Sequence, residues 1–292
     1  MRGPSRPGIG QALLGAALAG AMLPGCYVTH SYDSVREAPA AGQIESLSVE
    51  VAVVAGEVRI GQADHDRLYA LDLRYCESHF APRISRIDSG GRTTVSVGLK
   101  RQRGAPPPPP GDERNHVDLD LNRETPLDLV LDLGAGRHHA RLGGLRLRSL
   151  DLASGSGRVA IDFDRPTSDE LRLFRATVGP GGLRVGGLGY ASPDVVSLSA
   201  GNGQFWIDLS GPWDRDGLVQ LDVALGDVTL IAPGDLGLMV AAEDREADDL
   251  VLPGFARDDS GGYLSPGFDT AKHRITVHSG RGLGTLRVER RD

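Results

Sequence analysis

Cys26 is the residue whose chemistry is most sharply specified. It closes the run Leu23-Pro24-Gly25-Cys26, with an aliphatic residue three places before it and a small residue one place before it. That arrangement fits a bacterial lipobox, in which the thiol becomes a thioether to diacylglycerol and the cysteine becomes the mature N-terminus. Pro24 departs from the small or hydroxyl residue usual at the second place, so a plain secretory signal with an incidental cysteine is the alternative. Tyr27 follows where an aspartate would mark inner-membrane retention, so an outer-membrane address is expected if the host has one. Lipidation at Cys26 leaves Cys76 without a partner, because the chain has only two cysteines. No disulfide framework is therefore expected even in an oxidising compartment, and Cys76 reads as a buried, inert thiol.

The other reactive side chains form no recognisable constellation. There is no Gly-x-Ser-x-Gly nucleophile elbow, and the Gly-x-Gly runs at 134–136, 155–157, 201–203 and 282–284 do not extend to a dinucleotide fingerprint. His138 and His139 are adjacent in an alternating segment, so their rings point to opposite faces and cannot share a metal. The same applies to His273 and His278 on a regular strand. The acids of 243–249 and Asp258-Asp259 lack both EF-hand and calcium-roll spacing and read as solvated charge. Trp206 should point outward if Phe205 and Ile207 point in, and with Trp213 it could form a surface-binding patch. No catalytic residue, metal ligand or cofactor is expected.

The elements that carry these residues begin with an export segment. Arg2 and Arg6 give a basic start, Ala12 to Leu23 is apolar, and no acid occurs before Asp33. The apolar run is too short for a permanent membrane span. Removing residues 1–25 takes away those two arginines and no acid, so a chain of 292 residues and formal charge −7 becomes more acidic. The overall balance argues against a polyanion-binding surface, and no nucleic-acid partner is expected.

After the export segment, apolar and polar residues alternate in short runs such as Val117-Asp118-Leu119-Asp120-Leu121 and Leu127-Asp128-Leu129-Val130-Leu131. This is the pattern of strands with one face buried. A glycine followed by such a run recurs at Gly136, Gly157, Gly181, Gly203 and Gly226, with steps of 21, 24, 22 and 23 residues. Gly56 begins the series and Gly284 closes it. Each unit is a strand, a glycine bend, a strand and a polar return. One unit cannot bury its single apolar face, but stacked units can. At about 3.3 Å per residue a 22-residue coil has a perimeter near 70 Å, which suits a flattened coil with two long sides. The fold expected is all-β: stacked short-strand repeats forming a parallel β-solenoid with a smaller N-terminal β part. An antiparallel β-sandwich is the alternative.

The expected divisions are a signal at 1–25, a flexible tether at 26–42, an N-terminal β region at 43–115 ending in the proline-rich loop, and a β-repeat domain at 116–292. The last of these carries an irregular excursion at 241–272. The outward aspartates Asp118, Asp120, Asp128, Asp132 and Asp151 would form an acidic ladder, with Arg146 and Arg148 placed to neutralise it.

The run Thr125-Pro126-Leu127-Asp128-Leu129-Val130-Leu131-Asp132-Leu133-Gly134-Ala135-Gly136 resembles one typical of the toast-rack family of bacterial proteins. Ser154-Gly155-Ser156-Gly157, Ala200-Gly201-Asn202-Gly203 and the closing segment Ile275 to Val288 fall where that family's later repeats would. The C-terminal part is similar to the domain of cell-wall-active antibiotic response (LiaF-like) proteins. The resemblance implies a stacked all-β fold at the cell envelope and carries over no catalytic residue. Two functions follow as expectations. One is a non-catalytic, lipid-anchored envelope scaffold of structural, adhesin-like or stress-sensing kind. The other is a β-helical carbohydrate-active enzyme such as a polysaccharide lyase. The partners to expect are the membrane, through the lipid, and envelope proteins or cell-wall glycans.

Overall fold

The computed structural model describes residues 31–105, 115–242, 249–280, 282 and 284–291. The period-2 segments become strands that lie in two walls around a shared apolar core. Each repeat contributes one strand to the back wall, turns at its glycine, and contributes the next strand to the front wall. The central repeats are Leu127–Ala135 with Arg137–Arg141, Leu147–Ser154 with Arg158–Asp162, and Leu173–Val178 with Gly181–Gly186. Val195–Asp208 then runs through both walls in one strand, followed by Gly217–Leu225 with Val228–Pro233. Neighbouring rungs pair in parallel on both walls.

Register keeps the apolar residues in line from rung to rung. On the back wall Val95, Val49, Leu129, Leu150, Phe174, Val196, Val219, Val277 and Val240 stand in one ladder. All of them are almost fully buried. Each contributes roughly 1.5–3 kcal/mol by leaving water. Val159, Ile161, Phe205, Ile207, Val228 and Leu230 are likewise interior on the front wall. Arg175-Ala176-Thr177 keeps the alternation, with Phe174, Ala176 and Val178 as the buried set.

The corner glycines are dictated by the closeness of the coils. Gly136 and Gly226 have φ of 141° and 133°, a region that side chains other than glycine avoid. A Cβ on Gly136 would overlap the carbonyl oxygen of Gly56, and one on Gly226 would overlap that of Gly203. Consecutive repeats thus rest on one another's backbone at the bend.

The ends depart from the expected order. The rung Ser46–Ala55 with Glu57–Gln62 stacks between Leu127–Arg141 and the rung formed by Arg92–Arg101 and His116–Leu121. Antiparallel strands Phe80–Ser89 and Tyr69–Cys76 cover that outer rung, and Tyr32–Glu37 pairs with the latter. At the other end, Arg274–Ser279 and Leu286–Arg291 stack directly on Gly217–Pro233. Gly237–Ala241 and Leu250–Val251 lie beyond them, although they precede them in sequence. Short antiparallel strands Tyr263–Leu264 and Ala256–Arg257 close the back wall. Both ends therefore carry reversed strands, which blunt otherwise open parallel edges.

Residues 32–37, inside the expected tether, form a strand held across six paired positions. The expected boundary at 115/116 falls within one core. Strands from both sides of it interleave in one stack, since shared rungs bury more apolar area than two separate ends would. The proline-rich residues 106–114 lie outside the described residues.

Candidate functional site

The packed interior leaves the outer faces of the walls as the surfaces available to other molecules. On those faces several charges are neutralised locally. Arg92 donates to Asp128 at 2.9 Å, Arg175 to Asp151 at 3.2 Å, and Arg59 lies 2.7 Å from Glu57 and 3.9 Å from Asp118. Arg146 and Arg148 do not serve the acidic ladder as expected. Both reach Asp169, at 2.8 and 3.2 Å, because the return loop brings that carboxylate over them.

Where charges crowd, protonation shifts. Burial, then the neighbouring Asp118, pushes the Asp120 carboxyl above the usual range. Arg215 sits among Asp214, Asp194 and Glu170 at 2.8, 3.2 and 3.4 Å. Its hydrogen bond holds the Asp214 carboxyl below the usual range, against a smaller effect of burial.

One stretch of the front wall is different. A shallow groove of about 1300 Å³ crosses the strands Arg137–Arg141, Arg158–Asp162 and Gly181–Gly186 and the front-wall part of Val195–Asp208. Its register rows are Arg137, Arg158, Gly182 and Gln204 in one line, and His139, Ala160, Arg184 and Trp206 in the next. Small residues thus form the floor and cationic ones the sides. The Arg184 guanidinium lies over the Trp206 ring, 4.2 Å from its centroid. His139 Nε2 is 2.7 Å from the Asp162 carboxylate. Glu57 and Asp227 line the two ends.

The two tryptophans do not share a patch. Trp206 faces the groove, as its strand position requires. Trp213 is only 7% exposed, and its Nε1–H donates to the Leu209 carbonyl at 2.7 Å. It sits in a return loop, where strand alternation does not govern direction, and it fills the core. His138 and His139 point to opposite sides, with His138 in the interior ladder between Val58 and Val159. Cys76 is buried, with its Sγ 3.3 Å from His79 Nδ1 and 3.1 Å from Ser78 Oγ.

Asn115 and Asn122 carry structure that sequence reasoning did not single out. Asn115 accepts from the Cys76 N–H and donates to the Ala55 carbonyl. Asn122 donates to Arg67 and accepts from the backbone N–H groups of Glu124 and Thr125. Isolated asparagines in loops give no pattern by which either could be found. Cys26 and the acids Glu243, Asp244, Glu246 and Asp248 lie outside the described residues. Among the described residues no group of three His, Cys, Asp or Glu side chains is placed to hold a metal ion.

A two-walled stack of in-register rungs with glycine corners defines a β-solenoid of the toast-rack kind. Residues 28–179 match the family described as the N-terminal domain of toast_rack, DUF2154, and the chain belongs to that family. No curated protein matches the chain. Among solved structures it is similar to a candidate cell adhesion protein from Clostridium sporogenes ATCC 15579. Identity is 15% and TM-score 0.45, over 89% of this chain and 100% of that one. It is also similar to a candidate adhesin from Bacteroides fragilis NCTC 9343, with 9% identity and TM-score 0.39 over 88% and 97%. A candidate lipid binding protein from Parabacteroides distasonis ATCC 8503 shows 10% identity and TM-score 0.35 over 89% and 97%.

Proposed function

We propose that this chain is a non-catalytic, lipid-anchored cell-envelope protein that works as a binding scaffold, presenting its outer walls to other envelope components. The observation that supports it best is the use of the interior. From Val95 to Val240 the inward ladder is occupied by apolar side chains packed against the opposite wall, so recognition falls to the outer faces. Membership in the toast-rack family agrees with an envelope role. Leu23-Pro24-Gly25-Cys26 after a basic start and an apolar run supports export and acylation at Cys26. Two or more acyl chains, each contributing about 0.8 kcal/mol per buried methylene, hold a protein firmly where one chain does not.

Mass spectrometry of the N-terminus of membrane-derived protein tests the anchor. A diacylated Cys26 is expected, and Cys26→Ala should release the chain or leave it unprocessed, while Cys76→Ala should not alter anchoring. An unmodified Cys26 in that fraction would refute the anchor. Assays on glycans, esters and peptides should show no turnover. An activity abolished by one Asp, His or Ser substitution would make this protein an enzyme.

A further inference from the structure

The buried Cys76–His79–Ser78 knot, the Arg215 cluster and the front-wall groove are the features that packing alone leaves open. The first two are accounted for as internal contacts of a cap turn and of the return loops. The groove is not, for three reasons.

Its arginines are unneutralised. Arg137 and Arg158 are register neighbours on adjacent rungs, about 4.8 Å apart in backbone, and like charges so placed repel. Elsewhere on the walls several guanidiniums meet carboxylates, among them Arg59, Arg92 and Arg175. Among the described residues no carboxylate oxygen lies within 4.0 Å of Arg137, Arg158 or Arg184. Three cations are thus gathered on a chain whose net charge is −7.

Its floor is emptier than the fold requires. The corner glycines Gly136 and Gly226 could not accept a Cβ. Gly182 could: its φ is not positive, and an added Cβ would meet only the Gln204 carbonyl oxygen, at 3.4 Å. It lies between Arg158 and Gln204, so the missing side chain opens the groove just beside the cations.

One cation is also held in place. The Arg184 guanidinium lies over the Trp206 ring, 4.2 Å from its centroid, a cation–π contact that leaves N–H donors for hydrogen bonds to a carboxylate or similar oxyanion.

We infer that the front-wall groove binds an acidic polysaccharide lying along the stack, with its anionic groups on Arg137, Arg158 and Arg184 and its sugar rings over Ala160 and Gly182. This rests on the scaffold reading above and names the partner of its outer wall. The rung spacing is comparable to the length of a single pyranose ring, so successive acidic sugars meet successive rungs. A single-stranded nucleic acid would need several stacking platforms, and Trp206 is the one outward aromatic among the described residues of the groove. A flat bilayer could not enter a concavity between side chains.

The test is isothermal titration of the full chain in detergent with oligogalacturonate, with a neutral maltooligosaccharide of the same length, and with phosphatidylglycerol vesicles. Oligogalacturonate should bind, and the neutral oligomer at least tenfold more weakly. Arg158→Ala with Arg184→Ala should weaken binding tenfold or more, and Gly182→Glu should abolish it. All three are outward changes, so circular dichroism and melting temperature should stay close to those of the parent. No binding, equal binding of the neutral oligomer, binding to the vesicles alone, or affinity untouched by the arginine changes would each overturn the inference. These results leave the anchor and the absence of turnover to be judged separately. Cleavage to an unsaturated uronate product would instead keep the groove and end the non-catalytic reading.

Discussion

Glycines that look alike in sequence differ in what they support. Gly136 has a positive φ and its missing Cβ is replaced by the Gly56 carbonyl, whereas Gly182 has neither constraint. Gly136→Ala should therefore cost about 2 kcal/mol or more from backbone strain, before the overlap with Gly56 is added. Gly182→Ala should stay within about 0.5 kcal/mol, as ordinary surface changes do. Equal melting temperatures for the two variants would contradict the stacked corner. The Arg215 cluster gives a pH-dependent counterpart. Its hydrogen bond to Asp214 depresses that carboxyl when folded. The contribution is thus present above the ordinary aspartate value near 4 and is lost as pH falls through the lowered value. Arg215→Met should cost a few tenths of a kcal/mol to about 1 at pH 7, because Asp214 and Glu170 are largely exposed. The gap to the parent should close below about pH 4 in urea titrations, and a gap that widened there would refute the assignment. Of this the sequence displayed the glycine period, since alternation and spacing are local. It did not display the Arg215 cluster, whose acids come from three different return loops.

Among the elements, the order of the last two rungs has the clearest consequence. In a simple solenoid the final segment forms the terminal coil, and its removal costs one rung. Here Arg274–Ser279 and Leu286–Arg291 lie between Gly217–Pro233 and the strands that follow it. Truncation after Lys272 should therefore free Gly237–Ala241 as well and uncover Val219, Val228 and Leu230. Hydrogen exchange should lose protection over both 217–233 and 237–241, and limited proteolysis should open the same region. Protection kept at 237–241 would restore the sequential order. The sequence showed that residues 275–288 repeat the pattern. Their place in the stack was hidden because every rung has the same inward apolar set and would pair acceptably with many others. The same ambiguity concealed the rung Ser46–Gln62 within the central stack.

For the molecule as a whole, the apolar core runs through the proposed boundary at 115/116. A fragment of residues 116–292 would leave His116–Leu121 without Glu57–Gln62 and Leu127–Ala135 without Ser46–Ala55. It should be unfolded or insoluble, with little native-like circular dichroism, whereas the full chain should unfold as one stack. A stable, soluble fragment would re-establish two domains. By itself the sequence determined the all-β class, the repeat length, the glycine corners and the inward residues, because side-chain alternation and backbone crowding are properties of a few adjacent residues. It also placed Trp206 on the outside, since a strand fixes the direction of every second side chain. Tertiary structure alone decided which rungs are neighbours, that Trp213 turns into the core from a loop, and that Arg137, Arg158 and Arg184 meet around the unfilled Gly182. Those relations join residues from one coil to several coils apart in sequence, and only the folded stack sets them side by side.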